Sequence, residues 1–354
     1  MSAAPPLPQP ASVPDYASLA ALVARAFPGA GGAPSCEPMS GGASTRRYFR
    51  VRVPGGTAVA MFVPDGAKAE EAGKEGGARP RWPFLEVREL LASRGVDVPA
   101  LYAEDTDRGW LLLEDLGDDT LAAVLAARPE RKQELYTRAV EDLARAQAAL
   151  AELPAASVVA SRSFDFDLLL WEIHHFREWG LEARGLALST EDAATFERIA
   201  GRLARSVASL PRAVVHRDYQ SRNLMVRGGG SLCWIDFQDA LLGPRVYDLV
   251  ALLNDSYQSF DRPFVEARLD EYARAAGLGP GPRATLGRDF DRVTVQRKLK
   301  DAGRFVFIDR VKGNRAFLEF VEPTLAKVRA SLARLADDED MRALSALLAR
   351  VIPG

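Results

Sequence analysis

The pattern of apolar and polar positions changes character near residue 115. Before it, short runs of aromatic and β-branched residues predict strands. Arg46 to Val53, RRYFRVRV, is one such run. Pro54-Gly55-Gly56 follows as a turn, and Thr57 to Val63 returns as the second strand of a hairpin. A helix is predicted from about Trp82 to Ser93, ended by Gly95, with Leu85, Leu90 and Leu91 among its apolar residues. Ala100 to Glu104 and Trp110 to Glu114 read as two further strands. Between hairpin and helix, Pro64 to Arg81 is rich in Gly, Lys and Glu and reads as a mobile loop. After Gly117 apolar residues recur at three- and four-residue spacing. The predicted helices cover about 119–126, 130–152, 165–182, 190–208, 246–256, 263–275, 284–308, 313–336 and 338–351. One β interruption, Ala213 to Phe237, holds Val214-Val215, Leu224 to Val226 and Leu232 to Phe237. Gly228 to Gly230 turn between the last two.

Composition narrows this picture. The 354 residues are 47% hydrophobic and 27% charged, which fits a folded chain rather than a disordered one. Lys plus Arg number 46 against 48 Asp plus Glu, so bulk charge excludes a nucleic-acid-binding chain. Cys36 and Cys233 make no disulfide framework and fit a reducing, cytoplasmic compartment. The proline-rich N-terminus lacks the features of a signal peptide, and no apolar run is long enough to span a membrane. We expect a disordered tail over 1–13, a small β-rich lobe over 14–114 and a larger helical lobe over 115–354. The fold class is α+β.

The chemistry concentrates in the β interruption. Val215-His216-Arg217-Asp218-Tyr219-Gln220-Ser221-Arg222-Asn223 has the form H-x-D-x-x-x-x-N, and thirteen residues after Asn223 an apolar strand reaches Asp236-Phe237. Phosphoryl transfer needs a carboxylate to orient the attacking hydroxyl and accept its proton, which Asp218 supplies. It also needs oxygen ligands for Mg²⁺, which Asn223 and Asp236 supply. Isolated Asp and Asn residues in loops usually form turns; the joint spacing is what points to this chemistry. His216 reads as a structural residue.

These residues resemble the aminoglycoside phosphotransferase and choline kinase-like superfamily, which shares the bilobal protein-kinase fold. Within it the chain is similar to the bacterial anomeric kinases that phosphorylate C1 of N-acetylmuramate and N-acetylglucosamine in peptidoglycan recycling. The stretches that carry this include Arg46 to Val51, Leu111 to Gly117, His216 to Asn223, Ile235 to Pro244, Tyr247 to Asp255 and Gln296 to Lys300. The resemblance implies ATP and Mg²⁺ as cofactors and a small amino sugar as acceptor, with no nucleic acid and no membrane as partner. It makes Gly41, Gly42, Ser44 and Thr45 the phosphate loop. Glu114 to Gly117 becomes the hinge, with Glu114 and Leu116 beside adenine. Asp248 braces the catalytic loop with His216 and Arg217.

The same resemblance assigns Trp171, Glu172, His175, Trp179, Asp255 and Arg297 to the acceptor site. Aromatic faces there stack on sugar C–H groups while polar groups bind hydroxyls. One departure stands out: Met61 occupies the position where kinases carry a strand Lys paired to a helix Glu, here Glu86 or Glu89. Lys68, Lys74, Arg46 and Arg47 are candidate replacements. Two other readings stay open: a kinase for an aminoglycoside, choline or homoserine, and a silent nucleotide-binding module.

Overall fold

The computed structural model describes residues 13–29, 34–39, 46–64 and 81–352. The 1–12 part of the expected tail, the phosphate-loop residues Gly41, Gly42, Ser44 and Thr45, and the loop residues Lys68 and Lys74 lie outside the described residues.

The chain forms two compact units. The first comprises Met1–Trp82 with Val98–Gly117, and the second Pro83–Asp97 with Asp118–Gly354. In the first, helix α1 (Tyr16–Ala26) precedes five strands: β1 (Cys36–Pro38), β2 (Arg47–Val53), β3 (Gly56–Phe62), β4 (Leu101–Asp105) and β5 (Trp110–Glu114). They make one sheet in the order β1-β2-β3-β5-β4, every pair antiparallel. The hairpin turns with Val53 opposite Gly56, and Gly55 takes φ +85°, which a side chain resists. Alternation sends Phe49, Val51, Ala58, Ala60, Phe62, Trp110 and Leu112 into one core cluster with Leu19, Leu22 and Val23 of α1. That helix was not expected. Its signal was present: Asp15 caps it by accepting from Ala17 N at 3.0 Å, and Leu19, Leu22 and Val23 recur at helical spacing.

The second unit opens with α2 (Pro83–Ser93), followed by α3 (Leu121–Ala127), α4 (Lys132–Ala149), α5 (Val158–Ser161), α6 (Phe166–His175) and α7 (Thr190–Ala208). Contacts explain why α2 belongs here. Phe84 stacks on Phe237 at 5.0 Å, Glu86 Oε1 accepts from Val158 N at 2.5 Å, and Asp97 pairs with Arg227 at 2.8 Å. The β interruption forms two small antiparallel ribbons. In one, β6 (Arg212–Val215) pairs with an unanticipated strand, β9 (Leu241–Pro244). In the other, β7 (Leu224–Val226) pairs with β8 (Leu232–Trp234) across the glycine turn.

The helices that close the unit are α8 (Tyr247–Leu253), α9 (Arg262–Ala275), α10 (Pro280–Lys312), α11 (Val321–Arg334) and α12 (Glu339–Val351). At 33 residues, α10 is roughly 50 Å long. It is buried on every face from Val293 to Lys300. Two predicted helices end differently. The 313–336 segment is broken: Gly313 adopts φ +70° as a left-handed cap, a 3₁₀ turn covers Arg315–Phe320, and Pro323 sits in the first turn of α11. The 165–182 segment changes to a π turn over Phe176–Leu181. There α10 comes close: a Cβ on Gly303 would lie 2.9 Å from the His175 carbonyl oxygen and from Phe176 Cα. Among the described residues no helix is long and apolar enough to cross a membrane.

Candidate active site

The loop between β6 and β7 carries the H-x-D-x-x-x-x-N motif, and its backbone is pinned from below. Asp248, fully buried on α8, accepts from His216 N at 2.6 Å and Arg217 N at 3.0 Å. Burial pushes the Asp248 carboxyl up to about 7, against the lowering effect of these two N–H groups and of Arg297. These bonds hold Arg217 at φ +80°, a left-handed conformation that costs a non-glycine residue roughly 1–3 kcal/mol. The ring of His216 is buried, and its Nε2 lies 2.9 Å from the Ile235 carbonyl. That bond ties the loop to the end of β8.

Asp218 follows, its side chain 42% exposed. Arg297 Nη2 donates to Asp218 Oδ1 at 3.2 Å, and Arg297 Nη1 donates to the Arg217 carbonyl at 2.7 Å. Desolvation works against ionisation of Asp218, but Arg297, Lys300 and Arg217 outweigh it and hold the carboxyl below its ordinary value. The result is an ionised, accessible carboxylate of low basicity in a fixed orientation.

Asn223 closes the loop by donating from Nδ2 to the Asp218 carbonyl at 2.9 Å. With its nitrogen so used, the amide turns its oxygen away from that carbonyl. Ile235 N donates to the Asn223 carbonyl at 3.0 Å, so the β7–β8 ribbon brings Asn223 beside Asp236. Asp236 takes φ +63°, and Gln238 Nε2 donates to its Oδ1 at 2.9 Å. An amide oxygen and a carboxylate are the donor types a hard divalent cation selects, so this pair fits Mg²⁺.

The expected acceptor residues divide into three groups. Trp171, Glu172, His175 and Trp179 lie together. His175 stacks on Trp171 at 5.5 Å and approaches Trp179 at 6.3 Å, with Trp171 45% exposed. Fully buried Glu172 accepts from Gln296 Nε2 at 2.8 Å, and burial raises its carboxyl despite nearby Lys300. Burial, reinforced by Arg304 and Lys300, lowers the His175 imidazole to about 4, so it is neutral at pH 7. Glu172 Oε1, His175 Nε2 and Gln296 Oε1 are buried and make no hydrogen bond among the described residues.

Arg297 bears electrostatically on Glu172 and bonds the 216–223 loop. It lies over the Tyr247 ring at 4.6 Å, with 3% of its side chain exposed. Asp255 is fully buried and braces the same loop: its Oδ2 accepts from Ser221 N at 3.0 Å and Ser221 Oγ at 2.5 Å. The Ser221 and Lys298 positions were not singled out in the sequence. Both lie inside the stretches that carry the resemblance, at positions the motif leaves unspecified, and long-range hydrogen bonds reveal what they do.

In the first unit, Glu114 ends β5 and its Oε2 accepts from Ala100 N at 3.1 Å. Leu116, partly exposed, precedes Gly117 at φ +73°. Arg50 makes a two-pronged bond to Asp115 at 2.7 and 3.1 Å. Met61 is fully buried in the sheet, opposite Tyr48 and Leu111.

The sheet, the helical remainder and the H-x-D-x-x-x-x-N loop with its downstream Asp define a kinase-like phosphotransferase. The model of the phosphotransferase enzyme family matches residues 35–287, and the chain belongs to that family. An N-acetylmuramate/N-acetylglucosamine kinase from Pseudomonas aeruginosa is 35% identical over 302 residues, 84% of this chain and 83% of its own. A protein of the same name from Neisseria meningitidis serogroup B is 35% identical over 74% of this chain and 75% of its own. Among solved structures, a choline/ethanolamine kinase family protein from Mesorhizobium loti superposes with a TM-score of 0.59 at 18% identity, covering 93% of this chain and 99% of that one. An ADP-bound aminoglycoside phosphotransferase gives 0.55 at 14%, over 83% and 92%. At such identities these structures establish the fold alone.

Proposed function

We propose that the protein is an ATP-dependent kinase that phosphorylates the anomeric hydroxyl of N-acetylmuramate and N-acetylglucosamine. The observation that carries this reading is the fixed, accessible Asp218 carboxylate in a chain that shares 35% identity with an N-acetylmuramate/N-acetylglucosamine kinase over 84% of its length. In this reading Asp218 orients the sugar hydroxyl and accepts its proton. Low basicity suits the role, because a loose phosphoryl-transfer transition state removes that proton late. Arg297 holds Asp218 ionised and aimed. Asn223 and Asp236 would hold Mg²⁺, which when bound neutralises charge on the phosphate oxygens. Catalysis then rests mainly on positioning and fixed charge.

Trp171, His175 and Trp179 offer ring faces to the sugar, and His175 Nε2, Gln296 Oε1 and Glu172 Oε1, the last within 3.9 Å of Arg217, are suited to its hydroxyl and amide groups. Glu114 and Leu116 would contact adenine, and Gly41, Gly42, Ser44 and Thr45 the phosphates. We place the nucleotide-binding part in 14–114 and the catalytic and acceptor-binding part in 115–354.

The test is ADP release with ATP and Mg²⁺ on a panel of N-acetylmuramate, N-acetylglucosamine, an aminoglycoside, choline and homoserine. Phosphorus NMR of the product then locates the phosphate. Turnover on the two amino sugars with phosphate at C1 is expected. Preference for another acceptor, or phosphate at C6, would overturn the assignment.

A further inference from the structure

We infer that Arg50 and Asp115 are positioning residues for the nucleotide base, holding the main chain of Leu116 so that its N–H and carbonyl read the base edge. The inference deepens the nucleotide reading proposed above and rests on it. All the residues concerned belong to the first unit.

Asp115 is the centre of the arrangement. It directly follows β5, yet only 5% of its side chain is exposed. Arg50 Nε donates to its Oδ2 at 2.7 Å and Arg50 Nη2 to its Oδ1 at 3.1 Å, a fork that crosses 65 residues of sequence. The same Oδ1 accepts from Gly117 N at 2.9 Å, which closes an Asx turn around Leu116. Gly117 takes the left-handed φ of +73° that lets the chain close it. Desolvation opposes ionisation of Asp115, but Arg50, Thr57 and the Gly117 N–H outweigh it and hold the carboxyl below its ordinary value. Both carboxylate oxygens are engaged, so Asp115 acts through the main chain rather than on a ligand.

Sheet register explains why Arg50 is the partner. Phe49 and Val51 point into the α1 core, so alternation puts Arg50 on the opposite face, in line with Val59 and Leu113. From there its guanidinium reaches past the end of β5. On the other side, Glu114 N donates to the Ala100 carbonyl at 2.9 Å, and Glu114 Oε2 accepts from Ala100 N at 3.1 Å. The hinge is thus fastened to β2 and to the residue that precedes β4. Between these fastenings Leu116 is partly exposed, and neither its N–H nor its carbonyl makes a hydrogen bond among the described residues. A donor and an acceptor held ready in this way bind a complementary base edge without a cost for ordering the loop. Adenine turns a bare N1 toward such an N–H. Hypoxanthine turns an N1–H toward it, so that two donors meet and the pairing is rejected.

The experiment is calorimetric titration of the full chain with ADP and with inosine diphosphate, both with Mg²⁺ present. The parent protein is expected to bind ADP about tenfold tighter, the order of one hydrogen bond. Asp115→Ala and Arg50→Gln should each bring the two affinities close to equality, by weakening ADP and leaving inosine diphosphate almost unchanged. Asp115→Asn can still accept from Gly117 N and should keep part of the preference. Arg50→Lys, which keeps the charge but not the fork, should do the same. Circular dichroism checks that each variant is folded. Should Asp115→Ala fail to fold, Arg50→Gln and Asp115→Asn carry the test. An unchanged preference in the folded variants, or an equal loss for both nucleotides, overturns the proposal and leaves nucleotide binding in place. A parent that binds ADP no tighter than inosine diphosphate overturns it as well. A parent that binds neither nucleotide removes the nucleotide reading and this proposal together.

Discussion

Arg297 spans 79 residues of sequence to hold the Asp218 carboxylate at 3.2 Å, while its other terminal nitrogen holds the carbonyl of the strained Arg217 at 2.7 Å. One guanidinium thus fixes both the conformation of the catalytic loop and the charge of the proposed base. A hydrogen bond to a charged group is worth roughly 1.5–3 kcal/mol, so Arg297→Gln should lower kcat by about 10- to 100-fold. The acceptor KM should change far less. Steady-state kinetics decide the point: a raised acceptor KM with kcat intact would return Arg297 to the acceptor site. Arg297→Lys should recover part of the loss, since it keeps the charge but not the two-pronged fork.

Removing the proposed base itself gives the sharpest effect. Asp218→Ala should reduce kcat by roughly 10²–10⁴-fold, the usual contribution of a positioned base, and should also lower the melting midpoint, because it strips the buried Arg297 guanidinium of this carboxylate. Undiminished turnover of N-acetylmuramate would contradict the role.

For the metal pair, the signature is concentration dependence. Asn223→Ala should raise the Mg²⁺ concentration needed for half-maximal ADP release. Asp236→Ala, which removes a negative oxygen ligand, should abolish turnover at all practical Mg²⁺ levels. Identical Mg²⁺ curves for Asn223→Ala and the parent would exclude Asn223 as a ligand.

The imidazole of His175 gives a pH test. Its folded value is lowered from 6.5 to about 4 by burial and by Arg304 and Lys300. Between those values the unfolded chain binds the extra proton, so stability rises with pH through this window and is lost as pH falls from about 6.5 toward 4. The shift corresponds to on the order of 3 kcal/mol. Urea unfolding at several pH values should show His175→Gln with a shallower dependence over that window. Parallel curves for the two proteins would show that His175 does not titrate this way.

Gly303 tests the α6–α10 crossing. Alanine is the better helix former by about 1 kcal/mol, yet a Cβ here would press to within 2.9 Å of the His175 carbonyl. Gly303→Ala is therefore expected to lower the melting midpoint. A raised midpoint would mean the crossing is looser than described.

Much of this was legible in the chain. The hairpin, the paired ribbon at the glycine turn and the loop from His216 to Asn223 are local, so their residues announce them. The Arg297 clamp and the Asp255 brace were not legible as such. Both residues were assigned to the acceptor from the resemblance, and sequence shows a charge but not which partner lies across the fold. Eight consecutive buried residues of α10, Val293 to Lys300, leave no solvent-facing stripe that would separate inner from outer roles. Likewise the break at Gly313 and Asn314 is set by a left-handed turn inside an otherwise helical pattern.

The buried stretch of α10 has one more consequence. Successive helical residues point about 100° apart, and here three in a row are each committed to a different place. Gln296 bonds Glu172, Arg297 bonds Asp218, and Lys298 bonds Ser256. The helix therefore works like a reading frame. Insertion or deletion of a single residue just before Gln296 would rotate every following side chain onto its neighbour's target and corrupt three addresses at once. Equal-length changes at the exposed ends of the helix would leave the frame intact.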